Sequence, residues 1–269
     1  KFIGGICAIG AGLSLGREGP SIQLGAMVGK GFSRLSGKLK TEEKMLMTCG
    51  AGAGLSGAFG APLAGVVFSL EELHKNFSTE ILLSTMAASV VSDFTSSYIF
   101  GLSPVFQISA AEKLPLSRYW MLILLGIFLG VFGVFYNKMT AVFQDFYDKL
   151  PVRAVRIAVP FLCVIGLAAL YPYALGSGHS LVAQIAEGRF ALGMLALLLG
   201  VKFLFSMISF GAGVPGGIFL PLLVLGAVCG GLFAQGMGAL CGYEDLYLAN
   251  FVIFGMAGSQ PLSVRLSPA

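Results

Sequence analysis

Apolar stretches close to the length of a membrane-crossing helix recur along the chain at 20–36, 45–62, 79–101, 119–140, 154–174, 190–210 and 217–239, separated by short polar connections. About 20 mostly apolar residues carry a helix across the hydrocarbon layer, so the pattern predicts an all-α polytopic membrane protein with seven or more passes. Composition agrees. Of 269 residues, 56% are hydrophobic and 11% charged, with a mean hydropathy of +0.87, whereas a soluble domain carries roughly 25% charged residues.

The net charge of +4 does not point to nucleic acid, because the basic residues sit in connections without an aromatic platform. Lys30, Arg34, Lys38, Lys40 and Lys44 form one basic connection, and Lys149, Arg153 and Arg156 form another. The positive-inside rule puts both on the cytoplasmic side; the 102–118 connection lacks the bias and is expected outside. Cys7, Cys49, Cys163, Cys229 and Cys241 are scattered without metal-ligand or pairing spacing, and are expected to be small packing residues. The chain opens at Lys1 in an apolar stretch with no start methionine and no cleavage pattern, which reads as an interior cut.

Thirty-eight glycines are many for a helical protein, and they cluster where two apolar segments are broken by a Gly/Pro-rich turn. The two clusters match at a shift of 201 (217 − 16): 10 of the 23 positions in 10–32 are identical to those in 211–233, without a gap. Gly10-Ala11-Gly12 falls on Gly211-Ala212-Gly213, Gly16 on Gly217, Pro20 on Pro221, and Leu24-Gly25-Ala26 on Leu225-Gly226-Ala227. Corresponding interrupted segments are a mark of repeated transporter halves. In each copy the chain breaks, then restarts as a helix near the proline, whose missing N–H costs nothing in a first helical turn.

The first N–H groups of a helix lack internal acceptors and carry roughly half a positive charge. Two such N-termini form a seat for a small anion without the full charge that would bind it too tightly for rapid transport. A polar loop at 102–115, containing Pro104 and Pro115, separates the part of the first repeat at 1–101 from the part of the second at 116–269.

Three motifs carry a specific resemblance. Gly16-Arg17-Glu18-Gly19-Pro20, Gly60-Ala61-Pro62-Leu63-Ala64-Gly65 followed by Glu71-Glu72, and Gly217-Ile218-Phe219-Leu220-Pro221 occur in the order and approximate spacing of the signatures of the CLC family of chloride channels and chloride/proton exchangers. The resemblance extends over nearly the whole of 1–269 as a partial transmembrane domain. It implies the family's inverted-repeat helical fold, with broken helices meeting at mid-membrane.

It further implies chloride held by the backbone N–H groups of Ile218 and Phe219, with Gly19 contributing from the other copy. Glu18 is the implied gate, its carboxylate competing with chloride until protonated. An ionisable side chain within the bilayer is costly and tends to be kept for function. Glu72 maps to the internal proton-transfer glutamate, at the end of the helix that begins near Ala61. Family channels often lack a carboxylate there, so its presence favours chloride/proton antiport over a passive channel. The fluoride/proton branch usually alters the proline of the first motif, and Pro20 is present.

The partners implied are chloride, protons, the lipid bilayer and a second copy of the chain in a homodimer, with part of that contact on the 61–101 helices. No cofactor or metal is implied. The location implied is a cell membrane, the inner membrane in a bacterium. The family's serine-bearing segment and its coordinating tyrosine are expected before residue 1 and beyond residue 269, and Ser259-Gln260-Pro261 departs from the small apolar residues usual at that place.

An enzyme is the reading from another class. Gly54-Leu55-Ser56-Gly57 has the GxSG form of rhomboid-like intramembrane proteases, with His179 as its base, but His179 is expected in the polar Gly176–Ser180 loop. Gly25 to Lys30 lacks the spacing and the Ser/Thr of a phosphate-binding loop and reads as a helix end.

Overall fold

A computed structural model describes residues 2–75, 77–101, 106, 108, 113–242 and 247–259. The described residues form helices and their connections, with no strand among them. They divide into two compact units, one of residues 17–105 with 1–2, the other of 3–16 with 106–269.

The first unit holds α2 (Glu18–Leu35), α3 (Lys40–Phe59), α4 (Pro62–Phe68), a π-helical turn (Ser69–His74) and α5 (Thr79–Phe100). Small residues decide how these pack. A Cβ on Gly25 would lie 2.0 Å from the Gly50 carbonyl oxygen, and one on Gly29 would lie 2.1 Å from that of Leu46, so α2 and α3 touch backbone to backbone. The hydroxyls of Ser92 and Ser96 on α5 donate to the carbonyls of Ala53 (2.7 Å) and Gly57 (2.9 Å) on α3. With little gained from apolar burial between helices in lipid, close approach and interhelical hydrogen bonds supply the contact.

The second unit holds α1 (Phe2–Gly10, from Ile3 onward), α6 (Trp120–Asp148), α7 (Arg153–Leu170), α8 (His179–Ala186), α9 (Leu192–Gly211), α10 (Phe219–Cys241) and α11 (Leu248–Ser259). Its centre is α10, which is buried continuously from Leu220 to Gly231. Val224, Ala227 and Val228 pack with Leu181 and Ile185 of α8 and with Leu195 and Leu198 of α9. Cys229 meets Leu125 and Leu129 of α6. At 29 residues, α6 spans about 43 Å at 1.5 Å per residue, enough to cross a bilayer core tilted. Its outward side chains Ile123, Val131 and Val134 are apolar and exposed.

Each of the seven apolar stretches coincides with a helix, but by length and composition alone three helical segments suffice to cross a membrane: 116–148, 192–211 and 219–241. The others fall short for identifiable reasons. The apolar part of α7, Ala154–Leu170, is shorter than these. α2, α3 and α5 are diluted by charged and Ser/Thr/Gly positions, used for helix ends and for mutual contact. Of the cysteines expected as packing residues, Cys49 and Cys229 are buried, while Cys7 and Cys241 are exposed.

The internal repeat extends further than its ungapped alignment. Gly25 opposes Gly50 and Gly54, as Gly226 opposes Gly255 and Ser259; Gly29 opposes Leu46, as Gly230 opposes Phe251. The helix after the break is shifted by 201 (226 − 25), but its partner by 205 (255 − 50). The second copy therefore repeats the same helix pair with four more residues between the contacts.

Candidate functional site

Both breaks are built by the same hydrogen bonds. In the first, Gly12 (φ +92°) donates to Ile9 O at 3.0 Å, and α2 opens with Ser21 N–H donating to Arg17 O at 3.1 Å. In the second, Gly213 (φ +68°) donates to Phe210 O at 3.1 Å, and α10 opens with Leu222 N–H donating to Ile218 O at 3.1 Å. Every pair is 201 residues apart. The positive φ at both positions is a conformation glycine adopts without cost.

The two turns meet. Gly16 N–H donates to Gly217 O at 2.7 Å and Gly217 N–H donates to Gly16 O at 2.8 Å, an isolated antiparallel bridge between the two copies of one position. Beside it, a Cβ on Gly216 would lie 2.7 Å from the Leu15 Cβ, which is why that position has no side chain. At this point the two copies run in opposite directions, the local form of an inverted repeat.

From the first turn the chain continues through Arg17 to Glu18, the first residue of α2, and from the second through Ile218 to Phe219, the first residue of α10. Pro20 and Pro221 each stand third in their helix, ahead of the first intrahelical N–H donor. Phe219 and Leu220 in one copy, and Glu18 and Gly19 in the other, thus carry the N–H groups of a helix N-terminus. Glu18 is buried at 3% exposure while Arg17 is exposed, so the two neighbouring charges point into different surroundings. A carboxylate at a helix N-terminus is stabilised in its charged form, and burial opposes this.

Glu72 lies half-buried on the π-helical turn, with Glu71 exposed beside it. The unit-terminating cap is Lys75, in the left-handed conformation (φ 56°). His74 Nδ1 is 3.3 Å from Thr48 Oγ1, whose own proton is directed to Lys44 O at 2.9 Å. An open pocket of about 660 Å³ in this unit is lined by Arg34, Lys40, Lys44, Thr48 and Leu73 among others, bringing the basic connection next to the turn that carries Glu72. π-helical turns are rare and frequent at functional sites.

His179, expected in a loop, is instead the first residue of α8; Gly178, at φ 81°, bends the chain into the helix two residues earlier than the polar run implied. Its Nδ1 is 3.3 Å from Ser177 Oγ. Ser56 Oγ donates to Gly52 O at 2.8 Å inside its own helix, and its environment is the closely packed α3–α4 contact, where a Cβ on Gly65 would be 2.6 Å from Gly52 O.

Sequence reasoning missed a buried polar stripe on α9. Ser206 Oγ is 2.8 Å from Ser14 Oγ, and Ser209 Oγ accepts from Ser14 N–H at 3.3 Å. One turn earlier, the fully buried Lys202 donates to Ala174 O at 2.9 Å and also to Gly176 O. The signal was a lone charge in an apolar stretch, with hydroxyls four and seven positions on.

A family model described as voltage gated chloride channel matches residues 1–266. Proteins named H(+)/Cl(-) exchange transporter ClcA from Salmonella paratyphi B and Salmonella newport are each 32% identical over 276 aligned residues, covering 98% of this chain. The chain spans 58% of the length of these relatives. Among solved structures, a slow cyanobacterial Cl-/H+ antiporter superposes with a TM-score of 0.84 at 29% identity, over 96% of this chain and 64% of its own. A CLC-type fluoride/proton antiporter superposes at 0.77 with 23% identity, over 94% and 62% respectively, a likeness of fold.

Proposed function

The chain belongs to the voltage-gated chloride channel family, and from that premise we propose that the protein exchanges chloride for protons across a cell membrane. The observation that carries this reading is the matched pair of broken helices, joined at Gly16 and Gly217, one of which opens on the buried carboxylate of Glu18. Helix N-termini accept an anion through backbone donors. A carboxylate is the one side chain that competes for such donors when charged and gives them up when protonated. Chloride is held at Ile218 and Phe219, with Gly19 contributing from the first copy; Glu18 is the shared gate. Glu72, next in sequence to Leu73 of the Arg34–Lys40–Lys44 pocket, receives protons from the inner side.

Residues 1–101 and 116–269 act as parts of the two repeats, joined by 102–115. The protein works as a homodimer with a pathway in each subunit, part of the contact lying on the 61–101 helices. In a bacterium it resides in the inner membrane.

The test is paired measurement of chloride efflux and proton uptake by the full-length protein in liposomes. Wild type is expected to drive protons against their gradient when chloride flows. Glu18→Gln mimics the protonated gate, so chloride should move without protons. Glu72→Gln should stop proton uptake while chloride still moves, because the gate carboxylate and anion seats are intact. Passive chloride flow in wild type, with no proton pumped, refutes exchange and leaves the channel reading. Bromide soaked into crystals should give anomalous density at Phe219; density confined to the surface refutes the anion seat.

A further inference from the structure

An ammonium group inside a membrane helix is costly, and Lys202 sits in the middle of α9 with 0% exposure. Among the described residues no carboxylate lies within ion-pair distance of it. It donates to two backbone carbonyls, Ala174 O and Gly176 O, turned toward one point by a bent loop in which Gly176 and Gly178 take positive φ. The loop fits closely around the lysine, since a Cβ on Gly178 would lie 3.3 Å from its Cε and 3.4 Å from its Nζ.

The loop in turn holds the first break. Gly176 N–H donates to Gly12 O at 2.7 Å, so the residue whose carbonyl receives the lysine also holds the carbonyl of the glycine that opens the turn. Farther along the same face of α9, at the i+4 and i+7 spacing that keeps side chains on one side of a helix, Ser206 and Ser209 hold Ser14. Ser14, Ser206 and Ser209 are all buried. Three side chains from the second copy of the repeat therefore fix Gly12 and Ser14 of the first, two to four residues before the Gly16–Gly217 bridge.

We propose that Lys202, with Ser206 and Ser209, is a positioning device for the 12–16 turn, and through it for the start of the helix that carries Glu18. The lysine acts on the turn through the 174–176 loop and touches neither ion. The second half of this inference, that the placement of Glu18 depends on it, rests on the exchange reading given above.

Two measurements on the full-length protein test it. The first is amide hydrogen exchange in Lys202→Met, which removes the donors but keeps an unbranched apolar side chain, and in Ser206→Ala. Loss of a charge-assisted hydrogen bond corresponds to about tenfold or more in local opening, so exchange across 12–17 and 174–177 should rise by that factor in Lys202→Met, while the α10 core at 220–231 keeps its protection. Ser206→Ala should raise exchange across 13–16 by a smaller factor and leave 174–177 unchanged. The second is the chloride-to-proton ratio in liposomes, expected to rise at least about twofold in Lys202→Met through a gate held less firmly.

Unchanged exchange across 12–17 in both variants overturns the proposal, as does an increase spread evenly over 220–231, which would mark a general loss of packing. Should Lys202→Met fail to fold, Ser206→Ala alone decides the matter by the same two criteria. Raised exchange with an unaltered ratio overturns the link to Glu18. Wild-type protein that couples no protons refutes the exchange reading instead, and the exchange measurement then still decides whether the stripe positions the turn.

Discussion

Replacing Gly25 by alanine is expected to force α2 and α3 apart. The added Cβ would stand 2.0 Å from Gly50 O, 2.8 Å from Gly50 C and 3.3 Å from Gly54 Cα. Real Cβ contacts stay beyond 3.0 Å, so the separation must grow by at least 1.0 Å (3.0 − 2.0). All three atoms belong to backbone, so no rotamer change relieves the clash and α3 has to move as a body. Gly29, Gly50 and Gly54 make equally close backbone contacts along the same seam, and a shift at Gly25 loosens those as well. Overpacking of this kind costs about 1–3 kcal/mol. Gly31 on the same helix gives the control, because nothing lies within 4 Å of its Cβ position. Both substitutions gain the same helix propensity of about 1 kcal/mol, which cancels when they are compared. Gly25→Ala should therefore unfold about 1–3 kcal/mol more readily than Gly31→Ala in detergent-solubilised protein, read from thermal midpoints. Gly25→Ala with Gly50→Ala should cost less than the sum of the two, since one displacement relieves both. Equal midpoints for Gly25→Ala and Gly31→Ala would show that the α2–α3 seam is not the close contact described.

Ser92→Ala and Ser96→Ala each remove an interhelical bond between α5 and α3 and should each destabilise by about 0.5–1.5 kcal/mol; unchanged denaturation by both would show those bonds to be without net value. Glu42 accepts from Leu39 N–H at 3.0 Å and pairs with Lys38 at 3.2 Å, and these, in that order, hold its carboxyl below the usual 4.5. A lowered pKa means that its support for the start of α3 is complete above the usual carboxylate range and is lost as pH falls through the folded value. Amide exchange at 39–43, corrected for its intrinsic pH dependence, should therefore quicken in acid, below the usual carboxylate range, and Glu42→Gln should abolish the transition; a transition that survives the substitution refutes the assignment.

The breaks were legible because glycine and proline are expensive inside helices and so stand out when they recur in register. The alignment placed the starts near Pro20 and Pro221, and the structure opens the helices two residues before each, at Glu18 and Phe219. The match between α3 and α11 was not legible. Its register differs by four residues from that of the preceding helices, and the matching positions share little beyond one glycine, because what is repeated there is backbone approach rather than side-chain chemistry. α8 escaped for a related reason: eight residues behind a glycine-rich run give too few turns for periodicity to show.

Lys202 marks the limit of reading a membrane chain by hydropathy. A window that registers 192–211 as a crossing helix averages the lysine and the two serines on it into the apolar background. Yet the position of those three side chains relative to one another, and not their number, decides what they do. Spaced at 202, 206 and 209, the three share one face: Ser206 and Ser209 meet Ser14 of the first turn, and Lys202 meets the 174–176 loop that holds Gly12. Scattered over the helix, the same residues would each need a separate partner. Where an ion is to be held by backbone N–H groups, as proposed for this protein, the orientation of peptide groups is the functional variable. Side chains that hold those peptides have to be polar and buried, which makes a lone charge in an apolar stretch a better pointer to the machinery than another apolar run. The chemistry proposed for Glu18 could be read from five consecutive residues; the device proposed to fix its turn is spread over Ser14, Ala174, Gly176, Lys202, Ser206 and Ser209, and becomes visible only once the chain has folded them together.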